Sequence, residues 1–149
     1  MKAARSRDSV TRVDIVLAPD VYVNASVALG TPPENVVQRA LTRAKKVRVS
    51  EWVLSRIESM FRALPEFRDE AIAQQVATIR GLVEMVRTDD FPAEKWDEAL
   101  VALAKVAGAK RVITDHPDLL AQRTSAGVSF VSSEAWLQEQ PSPPPPPSP

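Results

Sequence analysis

Cysteine is absent from the 149 residues, and histidine occurs once, at position 116. These absences exclude a disulfide scaffold, an iron–sulfur cluster, a thiol nucleophile, a cysteine-ligated zinc site and any centre built on several imidazoles. An excess of charge of one sign is also lacking: 19 Lys and Arg balance 19 Asp and Glu, for a formal net charge of zero. A histone-like or highly basic nucleic-acid binder is thereby excluded, although a local basic patch is not. No apolar run approaches the ~20 residues that span a bilayer. The opening Met1-Lys2-Ala3-Ala4-Arg5-Ser6-Arg7-Asp8 carries no apolar secretory segment. The expectation is a soluble, cytoplasmic chain with no membrane partner, whose chemistry rests on carboxylates, hydroxyls and basic groups.

The composition, 44% hydrophobic and 26% charged, suits one globular domain. Seven of the 13 prolines crowd into the last nine residues, broken only by Ser142 and Ser148. Such a stretch forms neither helix nor sheet ladder, so 141–149 is expected to be a disordered proline-rich tail. The polar residues 1–10 are expected to be a flexible N-terminus, which leaves 11–140 as the domain.

Within that domain, short apolar runs alternate with helical periodicity. Residues 13–18 read as a buried strand ended by Pro19, and Val21-Tyr22-Val23 fits either a second strand or a helix start. Thr31-Pro32-Pro33-Glu34 has the form of a capping box with proline at the first helical position, opening a helix towards Ala44. Residues 46–49 form a strand candidate. Ser50 then caps a helix with Val53, Ile57, Met60, Phe61 and Leu64 on one face. A longer amphipathic helix is predicted over 67–87, and another from Pro92 to Ala107 with Gly108 as its C-terminal cap. A strand over 110–114, a turn over 115–118, a strand over 128–131 and a short helix capped by Ser132 or Ser133 complete the pattern. Strands separated by helices imply an α/β fold, a three-layer α/β/α sandwich around a mostly parallel sheet.

In open parallel sheets, ligands bind beyond the carboxyl ends of the strands. That rule selects Ala18, Pro19 and Asp20; Ser50 and Glu51; and Thr114, Asp115, His116 and Asp118. Asp97 joins them in a first helical turn, where the helix dipole favours a carboxylate. Carboxylate clusters of this kind hold hard cations such as Mg²⁺.

The segment from Ile15 through Leu17-Ala18-Pro19-Asp20-Val21 to Ala25 resembles the opening of PIN domains, roughly V-V-L-D-T-N-V-L-V-S-A. Gly108-Ala109-Lys110-Arg111-Val112-Ile113-Thr114-Asp115-His116-Pro117-Asp118-Leu119-Leu120 resembles the PIN pattern G-A-D-x-x-V-T-G-D-x-D-L-L. Residues 127–137 resemble the family's closing strand and helix, and Val49-Ser50-Glu51 its strand followed by S-x-x-x-x-x-E. The resemblance covers residues 13–137. It implies a PIN-like fold and descent from Mg²⁺- or Mn²⁺-dependent ribonucleases, many of them toxins of toxin–antitoxin pairs. In that family three or four acidic side chains hold a metal that activates water.

Transferred position by position, the family's acidic set falls on Ala18, Arg56, Asp97 and His116. Alanine has no ligand atom, arginine is a permanent cation, and imidazole suits softer metals than Mg²⁺. Only Asp97 keeps a carboxylate. The leading expectation is therefore a PIN-like protein that has lost metal-dependent cleavage, holds no metal and acts as a binding or oligomerising module. The alternative is an active Mg²⁺- or Mn²⁺-dependent ribonuclease with a rearranged set, Asp20, Asp97 and Asp115, supported by Ser50 and Thr114.

Each residue also has a structural role to weigh. Asp20 can fix a turn, Asp97 can serve the helix dipole, and His116 can be a turn residue. Arg56 follows Trp52 by one turn and can lie over the indole or pair with Asp97. Trp52, Trp96 and Trp136 lie too far apart in sequence to suggest a base-stacking platform and read as core or interface packing. Arg39, Arg43, Lys45, Lys46 and Arg48 fall within ten positions and offer an RNA phosphate-contacting edge or a solvated helix face. The family often pairs as homodimers, and the apolar stripe of 67–87 suits that or packing on the sheet. The proline tail offers a polyproline segment to a protein partner or acts as a spacer.

Overall fold

The computed structural model describes residues 15–42, 47–88 and 95–139. The expected flexible segment 1–10, the proline tail, Pro92, Ala44, Arg43, Lys45 and Lys46 lie outside the described residues. Among the described residues the chain runs β1 (Ile15–Leu17), α1 (Pro19–Val27), α2 (Pro32–Thr42), β2 (Val47–Val49), α3 (Glu51–Arg62), α4 (Asp69–Leu82), β3 (Glu84–Met85) and α5 (Trp96–Ala107). It continues with β4 (Arg111–Ile113), α6 (Pro117–Gln122), β5 (Thr124–Ser125), β6 (Val128–Val131) and α7 (Ser133–Glu139). No helix among these residues is long and apolar enough to cross a membrane.

The sheet order is β3-β2-β1-β4-β6-β5. All neighbours pair parallel except β5 and β6, which are antiparallel. Every residue of β1 is buried, as an apolar run in a central parallel strand must be when helices cover both faces. Helix α5 packs across β1, β2, β4 and β6, while α1, α2, α3 and α7 pack on one another in a second helical layer. The expected three-layer α/β architecture with a mostly parallel sheet is present.

Local signals placed several elements. Ser50 Oγ accepts the Val53 N–H at 3.3 Å, and Val53, Ile57 and Phe61 of α3 point into the core. Gly108 adopts φ 74°, a left-handed conformation that costs glycine little, and closes α5 with its N–H directed to Ala104 and Lys105. Ser132, one of the two candidates, caps α7 by accepting the Ala135 N–H at 3.1 Å. The capping box at Thr31 is altered. Glu34 accepts the Gly30 N–H at 2.7 Å, and the Thr31 hydroxyl donates back to the Ala28 carbonyl at 2.6 Å.

Other expectations are corrected. The helix predicted over 67–87 spans only Asp69–Leu82. Val83 is extended, and the chain then joins the sheet as β3, where Arg48 faces Glu84 and the Val86 N–H donates to Val49 at 2.8 Å. Pairing beside β2 overrides a helical periodicity that happens to continue through Val83 and Val86. The stripe considered for dimerisation is largely consumed within the chain, since Ile72 and Ile79 belong to the core. Val21-Tyr22-Val23 is helical, and all three residues are buried, so α1 lacks the polar face that would betray its period. The turn expected at 115–118 instead starts α6, with His116 as N-cap accepting the Asp118 N–H at 3.2 Å. Strand β5 was not anticipated. It pairs with β6 through Ala126 and Gly127, both at positive φ, the geometry of a type I′ hairpin turn.

Candidate functional site

The order of strands reverses between β1 and β4, so the crevice of this sheet lies beyond Leu17 and Ile113. Its floor is closed by hydrogen bonds. The Ala18 N–H donates to the Ile113 carbonyl at 2.9 Å, and Asp20, in the first turn of α1, reaches across to the loop after β4. Asp20 Oδ1 accepts the Thr114 hydroxyl at 2.9 Å, and Oδ2 accepts the Asp115 N–H at 2.8 Å. Thr114 Oγ1 accepts the His116 N–H at 3.0 Å, so one buried hydroxyl relays between the two strands' loops. Asp20 is 7% exposed and Thr114 fully buried. Burial pushes the Asp20 carboxyl above the usual carboxylate range. The Asp115 N–H, the Thr114 hydroxyl and a polar contact with its own backbone oppose that shift, and the Asp115 charge adds to it.

Asp115 is engaged as well. Its Oδ1 accepts the Ser133 N–H at 2.9 Å and its Oδ2 the Ser133 hydroxyl at 2.6 Å, which ties the β4 loop to the start of α7. The sequence offers Ser133 only as a helix cap. Its pairing with Asp115 spans 18 positions and leaves no periodic trace.

Aromatic side chains gather at the same edge of the sheet, after β2 and β4. Trp52 lies in the first turn of α3 and Trp96 opens α5. Their rings meet edge to face at 5.9 Å between centroids. The His116 ring lies 5.0 Å from Trp96, and the Arg56 guanidinium carbon 5.4 Å from the Trp52 ring centre. Arg56 thus takes the first of its two expected arrangements, over the indole. No ion pair within 4.0 Å joins it to Asp97. All four side chains and Asp97 are partly exposed. Trp136 is buried elsewhere in the core. The tryptophans that looked scattered in sequence are therefore two partners at the site and one core residue. The available signal was that Trp52 and Trp96 each begin a helix that carries a family position, Arg56 or Asp97.

The fit of a divalent metal can be judged from these contacts. Ala18 offers no donor, and the Arg56 cation repels a metal. The oxygens of Asp20 and Asp115 are taken by four protein donors. Among the described residues no group of three or more His, Asp and Glu is arranged to hold a metal ion. The described residues at this edge do not form a Mg²⁺ or Mn²⁺ centre. Of the basic stretch, Arg48 pairs with Glu84 at 3.0 Å, and Arg39 lies on α2. Ser50 serves as the α3 cap.

A second concavity, about 220 Å³, opens between α1, α2 and α4 and is lined by Tyr22, Ser26, Val37, Leu41, Ile79 and Leu82 among others. The Tyr22 hydroxyl is buried with no hydrogen-bond partner among the described residues, and burial raises its pKa.

The architecture is a three-layer α/β fold with a mostly parallel sheet, consistent with a PIN-like fold. No family model matches the sequence, and no curated protein matches it. Among solved structures, a chain in the crystal structure of VapBC2 from Rickettsia felis, bound to a DNA fragment from their promoter, shares the fold. The TM-score is 0.60 and the identity 10%, over 80% of this chain and 98% of that one.

Proposed function

We propose that this protein is a PIN-like module that has exchanged metal-dependent RNA cleavage for binding, with nucleic acid as the partner at its crevice. The observation that carries the reading is that Arg56 and His116, at two of the family's acidic positions, lie against Trp52 and Trp96, while the oxygens of the neighbouring Asp20 and Asp115 accept hydrogen bonds from the protein. An Mg²⁺- or Mn²⁺-dependent nuclease needs free carboxylate oxygens converging on one point, and Asp97 supplies only one side chain. The fold likeness to a chain of a toxin–antitoxin complex that is bound to DNA is in keeping with a nucleic-acid or protein partner.

The test is cleavage of a mixed RNA substrate with Mn²⁺, beside Asp97→Asn purified identically. The expected result is no cleavage by either protein, and no rise in melting temperature with Mn²⁺, since a ligand that binds only the native state raises it. Metal-dependent cleavage by the parent and not by Asp97→Asn overturns the reading in favour of a rearranged Asp20, Asp97 and Asp115 centre.

A further inference from the structure

We infer that the Trp52–Trp96–His116 cluster with Arg56 is a stacking site for a base of single-stranded nucleic acid, with the Arg56 guanidinium meeting the adjoining phosphate. This inference names the ligand class of the binding reading above and rests on it. Three separate elements, α3, α5 and the loop after β4, deliver these side chains to one place, although Trp52 and His116 are far apart in the sequence. Trp52 and Trp96 pack against the core without sinking into it, whereas Trp136 is buried within it. Trp52 and Trp96, with Arg56 and His116, remain partly exposed at the edge of the sheet beyond the carboxyl ends of β2 and β4, where a parallel sheet of this order takes its ligands.

The chemistry of the cluster selects the ligand. Indole and imidazole faces accept any base, because every base presents a π-face, and stacking tolerates sequence. Arg56 adds a permanent cation that binds phosphate oxygens through planar paired donors while resting on an aromatic face. The oxygens of Asp20 and Asp115 are turned to protein donors, and neither acid forms an ion pair with Arg56. A protein segment would have to present an apolar and an acidic group together, whereas a nucleotide carries both features in every unit.

The experiment is titration of the full chain with a short adenine RNA oligonucleotide, read by tryptophan fluorescence. An abasic oligomer of equal length and a poly-glutamate peptide serve as comparison probes. Expected are quenching by the RNA and binding about tenfold tighter than the abasic oligomer, the contribution of a stacked base. Trp96→Leu and Trp52→Leu should each remove about that factor. Arg56→Gln should weaken binding and flatten its dependence on salt, because one phosphate contact is lost. Trp96→Phe keeps an aromatic face and should retain most of the affinity, which separates loss of stacking from loss of the fold.

Equal affinity for RNA and the abasic oligomer, or full affinity in a folded Trp96→Leu protein, overturns the inference. Poly-glutamate binding as tightly as RNA also overturns it and makes the cluster a peptide site. A failure here with no Mn²⁺-dependent cleavage leaves the loss of nuclease chemistry standing. Cleavage removes both.

Discussion

Replacing Asp20 by alanine tests whether the carboxylate at the head of α1 is a structural bridge or a remnant of an acidic centre. The substitution deletes the acceptor of two hydrogen bonds, from the buried Thr114 hydroxyl at 2.9 Å and from the Asp115 N–H at 2.8 Å. A buried donor left without a partner costs about 1–3 kcal/mol. Thr114 is fully buried and should bear that cost in full, whereas the Asp115 N–H is partly buried and water recovers some of it. Removing a carboxylate from a poorly solvated place offsets part of the loss, because burial already disfavours its charge. The net expectation is a loss of about 2–3 kcal/mol, near 8–12 °C in melting temperature for a chain of this size.

Urea unfolding followed by circular dichroism measures this loss directly, with the slope reporting whether the native state keeps its compactness. The conservative Asp20→Asn keeps one acceptor oxygen and should cost less. It also removes a pH term whose sign follows from the raised carboxyl. Below the ordinary carboxylate value native and unfolded chains both hold the proton, and above the native value both have lost it. In between the native protein holds more protons, so the Asp20 contribution to stability falls as pH rises from about 4 through the native value. The parent should therefore lose stability relative to Asp20→Asn across that interval. If Asp20→Ala proves neutral or stabilising, the bridge argument fails, for relief of repulsion is what truncation of an unfilled acidic centre brings.

Two further substitutions test local energetics. Tyr22→Phe removes a buried hydroxyl without a partner and should leave stability unchanged or raise it by about 1 kcal/mol; a loss of that size in thermal unfolding would reveal a partner for the hydroxyl. Ser50→Ala deletes the side-chain cap of α3 and should cost about 1 kcal/mol by denaturant titration, with Ser50→Asp restoring most of it; an unchanged midpoint for the alanine variant refutes the cap.

Some of this protein was decided by the sequence alone, because the deciding interactions lie within a turn of helix or one strand. Ser50 caps α3 through a bond three residues away, Gly108 ends α5 by its own left-handed backbone, and residues 128–131 form the strand their alternation with turn residues suggests. The apolar runs of β1, β2 and β4 likewise determined a parallel sheet, and with it the edge where the site lies. Tertiary structure decided what depends on neighbours distant in the chain. Residues 83–85 leave their helical period because β2 offers a ladder, and α1 hides its period because every side of its first turns is covered. Asp20 finds Thr114 and Asp115 from 94 and 95 positions away, and Trp96 meets both Trp52 and His116. No local pattern encodes such pairings, since they arise only when folding brings the carboxyl ends of β1, β2 and β4 to one edge. Whether the acids of this chain are ligands or bridges is therefore a property of that edge, where each oxygen takes the nearest donor the fold provides.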